Sequence, residues 1–257
     1  MSTILRSAVS GLLAQKYNLD LIANNIANLN TTGYKKSRGI FADATYETQA
    51  AIALPESEPV PEVRAGTGVR VVAAQRVFSP GSFKETDNIW DLAIAGDGFF
   101  QVAFPDGQKG YTRDGSFQID SQGRVATVQG FLLDPPVTIP PGAESIEIDE
   151  SGVVRGRLNG KPAEFGTISI AEFPNREGLL ALGHNLFAPS EASGDAQAEG
   201  EAVYGRSRIM SGVQETSNVD LAEEMTKAME AQRAYQLSIK VLQTADEMLG
   251  LANNLRR

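Results

Sequence analysis

The sequence predicts an α+β protein in which long N- and C-terminal α-helices, packed as a coiled-coil-like pair, flank a central antiparallel β-rich domain. Two observations support this fold class. Apolar residues recur at helical spacing near both ends of the 257-residue chain. Between these ends, short runs of β-forming residues are separated by turn residues every ~8–12 positions. Neither end can bury its apolar stripe against itself, so the sequence predicts an assembly protein rather than an enzyme.

The N-terminal helix is predicted over 2–30, where two heptad registers form a coiled-coil-like seam with Gln15 as its polar interruption. A polar run that ends in Gly33 stops this helix. Asn24 and Asn25 lie inside it, and two interpretations stay open: a solvated last part of the helix, or hydrogen bonds between subunits that fix register. The first register holds Leu5, Leu12, Leu19 and Ile26, and the second holds Ala8, Gln15, Ile22 and Leu29.

The C-terminal helix is predicted to follow a Ser217-Asn218 cap and to carry the second apolar stripe. Glu223 and Glu224 in its first turn suit the positive end of the helix dipole. The stripe consists of Leu221, Met225, Ala228, Tyr235, Leu242 and Leu249, and it is widened by Ile239, Ala245 and Ala252.

Three regions are predicted along the chain. A discontinuous helical assembly domain spans 1–33 with 218–257, an extended connecting region spans 34–65 with 190–217, and a central β domain spans 66–189. The acidic, proline-rich run at 54–62 indicates an extended loop, and the small polar residues at 190–201 indicate a mobile loop. Within the β domain, hairpin turns are predicted at 105–107, 149–152 and 158–160.

Composition excludes several functions. The net charge of −9 and pI near 4.8 argue against a nucleic-acid partner, because phosphate contacts need clustered Lys and Arg. The small basic cluster of Lys35-Lys36 with Arg38 is assigned to solubility or a helix-end charge. The absence of cysteine excludes disulfides and zinc thiolate sites. No run approaches the ~20 apolar residues that span a bilayer, and the N-terminus does not read as a cleavable secretory signal.

Catalytic residues are not predicted. The one histidine, His184, lies in a loop-like stretch without a partner that would make it a general base. The acidic pairs could form a glycosidase-like dyad only if they converge, and most carboxylates of an acidic protein are solvated. Asp149-Glu150 lacks the spaced oxygen ligands of a calcium loop. No catalytic, cofactor or metal site is therefore expected. The acidic pairs are Asp87 with Asp91 and Asp97 with Asp114.

Two terminal motifs carry a family resemblance. The run ANNIANLNTTGYK at 23–35 resembles the N-terminal signature of bacterial flagellar rod and hook proteins, and ETSNVDLAEEM at 215–225 with QRAY at 232–235 is similar to the C-terminal one. Between them, GTGV at 66–69, GDGFFQV at 96–102 and YTRDGSF at 111–117 resemble the distal-rod members most closely. The similarity therefore spans almost the whole chain.

The resemblance implies a structural axial subunit of the flagellar basal body, self-assembling into a helical tube that transmits torque and surrounds the export channel. The implied partners are further copies of the chain, adjacent rod and hook subunits, envelope ring proteins and the flagellar export apparatus. The implied location is the periplasmic basal body, reached without a cleavable signal peptide. No cofactor, nucleic acid or membrane insertion is implied.

The expected assembly interface combines polar and apolar residues of both ends. Asn24, Asn25 and Asn28 are expected to make polar contacts around the tube. The apolar members are Leu5, Leu12, Leu19, Ile22 and Ile26 at one end, and Leu221, Met225, Ala228, Tyr235, Leu242 and Leu249 at the other. The alternatives are a proximal rod or hook subunit, an envelope carbohydrate-active enzyme, and a carbohydrate- or protein-binding β module whose helices dimerise.

Overall fold

The structure is a computed structural model that describes residues 2–49, 63–198 and 207–254. Within these ranges the chain forms two α-helices, α1 (Ser2–Ala27) and α2 (Leu221–Asn254), together with short strands in antiparallel pairs. The α+β fold class is therefore confirmed. The chain divides into two compact units, here called the helical unit (Met1–Ala27, Ser37–Arg76 and Asp220–Arg257) and the β unit (Asn28–Lys36 and Val77–Val219).

The helical unit contains α1, α2 and four strands. Helix α1 contacts both α2 and the longer strand pair, and Ser10 Oγ accepts a hydrogen bond of 3.1 Å from the Val69 N–H. The strands are β1 (Ser37–Asp43), β2 (Tyr46–Gln49), β3 (Val63–Gly66) and β4 (Val69–Arg76), with β1 paired to β4 and β2 to β3. The predicted proline-rich loop at 54–62 lies outside the described residues.

The β unit holds the remaining strands. Among the described residues its largest sheet has the order β16-β17-β8-β7-β11-β10-β9, and β15 joins it by pairing with β7 and β18. Strands β12, β13 and β14 form a meander, β6 pairs with β19, and β5 pairs with β20. The strands are β5 (Phe83–Glu85), β6 (Leu92–Ala95), β7 (Phe99–Ala103), β8 (Lys109–Thr112), β9 (Phe117–Ile119), β10 (Val125–Thr127), β11 (Leu132–Leu133), β12 (Ala143–Ile148), β13 (Val153–Leu158), β14 (Lys161–Thr167), β15 (Ile170–Glu172), β16 (Leu180–Gly183), β17 (Leu186–Ala188), β18 (Gln197–Ala198), β19 (Arg208–Ser211) and β20 (Val213–Glu215).

The predicted hairpin turns are confirmed. Strands β7 and β8 pair across the turn at 105–107. Asp149 Oδ1 accepts the N–H groups of Ser151 and Val153 at 2.9 and 3.2 Å and so closes the turn between β12 and β13. Asn159 and Gly160 have φ of 52° and 78°, the positive values that a type I′ turn requires between β13 and β14.

Two hydrophobic clusters fill the β unit. The larger one combines inward-facing residues of β6, β7, β9 to β11, β13, β15, β17 and β19 with the segments between them. The second is aromatic, and Phe99 packs edge-to-face against Phe78, Phe173 and Phe187. Edge-to-face geometry is the favoured arrangement of aromatic rings, so this cluster fixes ring positions as well as burying area.

Helix α1 ends earlier than predicted, at Ala27 rather than near residue 30. Beyond it the chain turns, with the Thr31 N–H donating to the Asn28 carbonyl at 3.2 Å. Gly33 then adopts φ of 66°, and a Cβ there would lie 2.7 Å from the backbone of Arg113. The helix therefore ends about one turn earlier than predicted. Gly33 permits its own backbone and that of Arg113 to approach closely, because it has no Cβ.

The cap of α2 also differs from the prediction. Asp220, not Ser217-Asn218, is the N-cap residue: its Oδ1 accepts the N–H groups of Ala222 and Glu223 at 2.8 and 3.1 Å. Ser217 and Asn218 form hydrogen bonds in the β unit instead. Three cap-forming residues, Ser217, Asn218 and Asp220, precede this helix, and only the spacing to the N2 and N3 positions distinguishes them.

Parts of the predicted connecting region pair as strands. Part of 34–65 pairs as β1, β2 and β3, and part of 190–217 pairs as β18, β19 and β20. The loop predicted at 190–201 includes a turn in which the Ser193 N–H donates to the Ser190 carbonyl at 3.1 Å. Residues 199–201 lie outside the described residues. Small polar residues at 190–198 thus form a turn and a short strand because neighbouring strands supply partners that local sequence does not reveal.

Candidate assembly interface

Helices α1 and α2 pack side by side in opposite directions. Asn25 Nδ2 of α1 lies 2.9 Å from Glu224 Oε2 of α2. Earlier in α1, a Cβ built on Gly11 would lie 3.7 Å from the Oγ of Ser238, which comes later in α2. Because the contact moves backward along α1 as it moves forward along α2, the pair is antiparallel.

The least exposed residues of α2 recur every seven positions and so lie on one face of the helix. Glu224, Ala231 and Ala245 are buried, and Ser238 at the same spacing is half-buried. A second set at seven-residue spacing is half-buried and contains four of the predicted interface residues. These are Ala228, Tyr235, Leu242 and Leu249.

The other two predicted interface residues of α2 lie elsewhere on the helix. Leu221 and Met225 are both exposed in this chain. They belong to a larger set of exposed apolar side chains on α2, here called the outer apolar set. Its members are Leu221, Met225, Met229, Leu237, Val241, Met248 and Leu251.

Most of the predicted seam residues of α1 are half-buried. Ile22 is buried at 4% exposure, whereas Asn24 is exposed. Asn28 lies beyond the end of α1, in the turn of the β unit, where its Oδ1 accepts a hydrogen bond from the Thr31 hydroxyl at 3.1 Å. The half-buried members are Leu5, Leu12, Leu19 and Ile26. The seam residues are thus partly covered by their own chain and partly open.

Asn25 is the most constrained polar residue of α1. It is 2% exposed, its Oδ1 accepts the Ser37 N–H at 2.9 Å, and its Nδ2 donates to the Ser37 carbonyl at 2.9 Å as well as to Glu224. Glu224 in turn accepts a hydrogen bond of 3.0 Å from Lys227 Nζ. Asn25 therefore joins α1, β1 and α2 within one chain, a role that neither of the two sequence interpretations included.

A buried charge cluster lies inside the β unit. It joins Lys35 of the N-terminal signature motif to Glu215 of the C-terminal one. Lys35 Nζ is 2.6 Å from Glu215 Oε1, and both side chains are 1% exposed. Lys35 also donates to the Ser79 carbonyl at 2.9 Å, and Glu215 Oε1 accepts the Gly81 N–H at 2.9 Å. This corrects the assignment of Lys35 to solubility, because its ammonium group is buried and paired.

Arg113 adds a second cation to the buried charge cluster. Its guanidinium donates to the carbonyl groups of Ile94 and Gly96 at 3.3 and 2.7 Å, and it lies over the Phe99 ring at 5.2 Å from the centroid. Its Nη1 is 3.5 Å from Glu215 Oε2. Burial lowers the pKa of Arg113 and of Lys35, and the Glu215 carboxylate opposes that shift in both.

Asn218 holds three chain segments of the β unit together. Its Oδ1 accepts the Lys36 N–H at 2.7 Å, and its Nδ2 donates to the carbonyl groups of Val77 and Ser79 at 2.8 and 3.2 Å. These segments are the ones at which the chain leaves or rejoins the β unit, after Lys36, before Val77 and after Val219. The C-terminal signature motif therefore supplies the residue that fixes these segments.

Local sequence reasoning missed Lys35, Arg113 and Glu215, although all three belong to the quoted motifs. Their partners are far apart in the sequence: 180 residues separate Lys35 from Glu215. Periodicity carries no information about such pairs. The available signal was their presence, as charged residues, within the motifs that carry the family resemblance.

The described residues contain no arrangement that suggests catalysis or metal binding. His184 is exposed in the turn between β16 and β17, where its φ is 51°. Asp97 pairs with Arg176, and Asp114 accepts the Ser116 N–H at 3.1 Å. Within the same residues no group of three or more metal-ligating side chains converges. No helix in these ranges has the length and apolarity that crossing a membrane requires.

Three family models match the chain. The model described as flagella basal body rod protein matches residues 5–35, and the flagellar hook protein FlgE/F/G D1 domain matches residues 93–156. The flagellar basal body rod FlgEFG protein C-terminal model matches residues 210–255. The matches thus cover both signature motifs and the centre of the β unit.

Curated relatives extend the similarity to the full length. The flagellar basal-body rod protein FlgG of Borreliella burgdorferi is 43% identical, with 100% of each chain covered. The FlgG proteins of Caulobacter vibrioides and Bacillus subtilis are 40% and 36% identical, each with 98% of both chains covered.

These observations define a structural protein that has a pair of terminal helices with exposed apolar residues and a separate β unit. The chain belongs to the flagellar basal-body rod protein family. It is a structural subunit of the distal rod and not an enzyme, and it is located in the flagellar basal body. Membership of this family implies self-assembly and contact with neighbouring rod and hook subunits. The expectations on family, function and absence of enzymatic activity are confirmed.

Proposed function

We propose that this rod subunit polymerises through its terminal helices into a helical tube that surrounds the export channel and transmits torque through the periplasm. The observation that carries the proposal is the outer apolar set of α2. Leu237, for example, is 64% exposed, and the exposed large apolar side chains along this one helix support its role as an interaction surface. Head-to-tail contacts between identical subunits that do not close into a ring produce an open helical filament.

The proposed inter-subunit contacts are the predicted interface residues of both helices, and the proposed assembly domain is 1–33 with 218–257. The seven-residue spacing on α2 supports a coiled-coil-like pairing, because heptads keep one face of each helix toward its partner. Leu19 and Leu242 are half-buried within the chain. They therefore have surface left for a neighbouring subunit.

The wider proposal concerns partners and location. We propose contacts with the envelope ring proteins around the rod and delivery by the flagellar export apparatus. Support comes from the flagellar basal-body rod names of the relatives and from the resemblance of both terminal motifs. Co-isolation of the tagged subunit with intact basal bodies, followed by cross-linking and mass spectrometry, tests which envelope proteins lie next to the β unit.

Electron microscopy of the purified, concentrated protein tests the assembly proposal, beside a version that lacks residues 1–30. Tubes from the full chain alone support polymerisation through the terminal helices. If the full chain needs a nucleus, the same comparison is made by counting the subunit in basal bodies isolated from cells that express either version. Equal incorporation of the shortened version contradicts the proposal.

A pair of point variants distinguishes loss of the proposed helical contact surface from the general effect of adding a charge to an exposed position. Leu237→Asp should block assembly, whereas Val128→Asp in the β unit should not, although the two side chains are similarly exposed at 64% and 61%. Leu19→Asp and Leu242→Asp should also block assembly while the β unit stays folded, as reported by the fluorescence of Trp90. Tubes of normal length from Leu237→Asp would contradict the proposed surface.

A further inference from the structure

We propose that Asn25 and Glu224 set the alignment of α1 against α2, so that one antiparallel register is populated among several that apolar packing would allow. The inference deepens the proposed function, since the paired helices are the proposed assembly surface. Its readout is the alignment within one chain and not the growth of a filament. The two ideas can therefore fail separately.

The Asn25 side chain uses both of its N–H donors and its carbonyl oxygen inside the chain. A carboxamide has two N–H donors and one carbonyl oxygen. Both donors are engaged, one by the Ser37 carbonyl and one by Glu224 Oε2, and the oxygen accepts the Ser37 N–H, all at 2.9 Å. The tie to β1 fixes where Asn25 lies, and the tie to Glu224 then fixes which residue of α2 lies opposite it.

Glu224 is equally confined. It is 1% exposed, and its two carboxylate oxygens have different partners: Oε2 accepts from Asn25, and Oε1 accepts from Lys227 at 3.0 Å. Lys227 Nζ also lies 2.7 Å from Glu223 Oε1. Burial alone would lower the pKa of Lys227, but the carboxylates of Glu223 and Glu224 raise it. The buried carboxylate is thus neutralised locally and needs the Asn25 amide as its remaining partner.

The apolar contacts of this face do not specify a register by themselves. The residues that follow Glu224 at seven-residue intervals are Ala231, Ser238 and Ala245, which are similar in size. At these positions a slip of seven residues would replace one small side chain by another opposite α1, so they do not distinguish the registers. The same slip would remove Glu224 from Asn25 and leave buried polar groups without partners, which is strongly unfavourable.

A competing pairing exists on α1. Asn18 lies seven residues before Asn25 and is half-buried. In one of the two possible slips it would move opposite Glu224. Ser37 distinguishes the two asparagines, because its backbone N–H and carbonyl hold the Asn25 amide in place, and after the slip the buried Asn25 N–H that binds Glu224 would lose that acceptor. The three-way contact, and not the polar pair alone, therefore selects the observed register.

The absence of cysteine from the chain makes the register directly measurable. A Gly11→Cys/Ser238→Cys pair reports the observed register, since a Cβ at Gly11 meets Ser238 Oγ at 3.7 Å. Gly11→Cys combined with Ala231→Cys or with Ala245→Cys reports the two seven-residue slips. Oxidised products at monomer mass are quantified by non-reducing electrophoresis and peptide mass spectrometry. Products at dimer mass report contacts between subunits and hence the proposed function.

The test variant is Asn25→Leu/Glu224→Leu, and Asn24→Leu/Glu223→Leu is its matched control, with the same change in composition and charge at exposed neighbouring positions. In the unaltered background and in the control, only the 11–238 product should form. In the test variant, the share of slipped products should rise about tenfold or more. An unchanged distribution in the test variant, or an equal shift in the control, overturns the inference.

If the double variant does not fold, two single variants of Glu224 test the same inference. Glu224→Gln keeps an oxygen acceptor for Asn25 and should keep the 11–238 product alone, whereas Glu224→Leu should yield slipped products. Slipped products from Glu224→Gln equal to those from Glu224→Leu would overturn the role of the hydrogen bond. Absence of the 11–238 product from the unaltered background would overturn the register itself.

Discussion

Lys35 Nζ and Glu215 Oε1 lie 2.6 Å apart in the interior of the β unit, with both side chains 1% exposed. Arg113 is the second buried cation near the same carboxylate, at 3.5 Å from its other oxygen. One carboxylate therefore serves two cations, and its removal would leave both without an acidic partner in this cluster. Breaking a buried ion pair by removing one partner is far more costly than breaking an exposed pair.

Glu215→Ala should lower the free energy of unfolding of the β unit by about 3–5 kcal/mol. The measurement is urea unfolding followed through the fluorescence of Trp90, the one tryptophan, which packs against the larger core cluster. The control is Glu150→Ala. Glu150 pairs with Arg208 at 3.4 Å with side chains 74% and 64% exposed, and its loss should cost less than about 1 kcal/mol. Similar losses in both variants would show that the buried cluster contributes no special stability.

Gly115→Ala should destabilise the β unit by about 3 kcal/mol or more, because overpacking against backbone cannot be relieved by a rotamer change. A Cβ at Gly115 would lie 1.6 Å from the Leu92 carbonyl oxygen. Urea unfolding measures the loss. Gly250→Ala is the control, since no atom lies within 4 Å of its Cβ position in α2, and it should be neutral or stabilising by up to about 1 kcal/mol. A tolerated Gly115→Ala would contradict the close approach of these two backbone segments.

Asp220→Ala should reduce the stability of α2 by about 1 kcal/mol, because two N–H groups of the first turn lose their acceptor. The thermal transition of the far-ultraviolet circular dichroism signal measures the effect. Asp246→Ala removes an exposed aspartate from the body of the same helix and should cause no loss, since alanine is the better helix former. An equal decrease in both variants would argue that net charge, and not capping, is responsible.

Asp114→Asn should change the pH dependence of stability in a defined direction. Burial raises the pKa of Asp114 above its ordinary 3.8, although hydrogen bonds from Ser116 oppose the shift. Between the ordinary and the raised pKa the folded state binds more protons, so the contribution of Asp114 to stability falls as pH rises through that window. The gain from Asp114→Asn, relative to the parent, should therefore be larger at neutral pH than in acid.

Asp149→Asn should change the pH dependence of stability in the opposite direction to Asp114→Asn. Hydrogen bonds from Ser151 and Val153 and the nearby Arg155 lower the pKa of Asp149. Its contribution is present above the ordinary pKa and is lost as pH falls through the lowered value, so this variant should lose stability at neutral pH relative to acid. Urea midpoints between pH 3 and 7 test both variants. A common sign for the two would contradict the assignment of their causes.

The helices and hairpins were predictable because their determinants are local. Seven-residue spacing located α1 and α2, and Asn159-Gly160 specified a turn whose positive φ values few residue types adopt. The polar contacts were not predictable in this way. Asn25 was interpreted as solvated or as an inter-subunit donor, yet its partners are Ser37 and Glu224 of the same chain. A single sequence without covariation does not identify such distant partners.

The apolar stripe of α2 was only partly located for a related reason. Sequence periodicity gives weight to the largest apolar residues, and so it placed Leu221 and Met225 on the packed face. In the structure Ala231, which the stripe omitted, is buried together with Ala245, which it included, whereas Leu221 and Met225 are exposed. Close helix packing favours small side chains, which hydrophobicity alone undervalues. The assembly interface as a whole stays a prediction.

The contact between Asn25 and Glu224 joins residues 199 positions apart. Synthesis from the N-terminus therefore leaves α1 without its partner helix until nearly all of the protein has emerged, whereas the β unit lacks no segment once Val219 is available. Closing so long a loop is slow compared with forming local structure. Because α2 follows every segment of the β unit in the sequence, both members of the helix pair are available only near the end of synthesis, and a chain cut short anywhere before α2 never presents a finished helix pair.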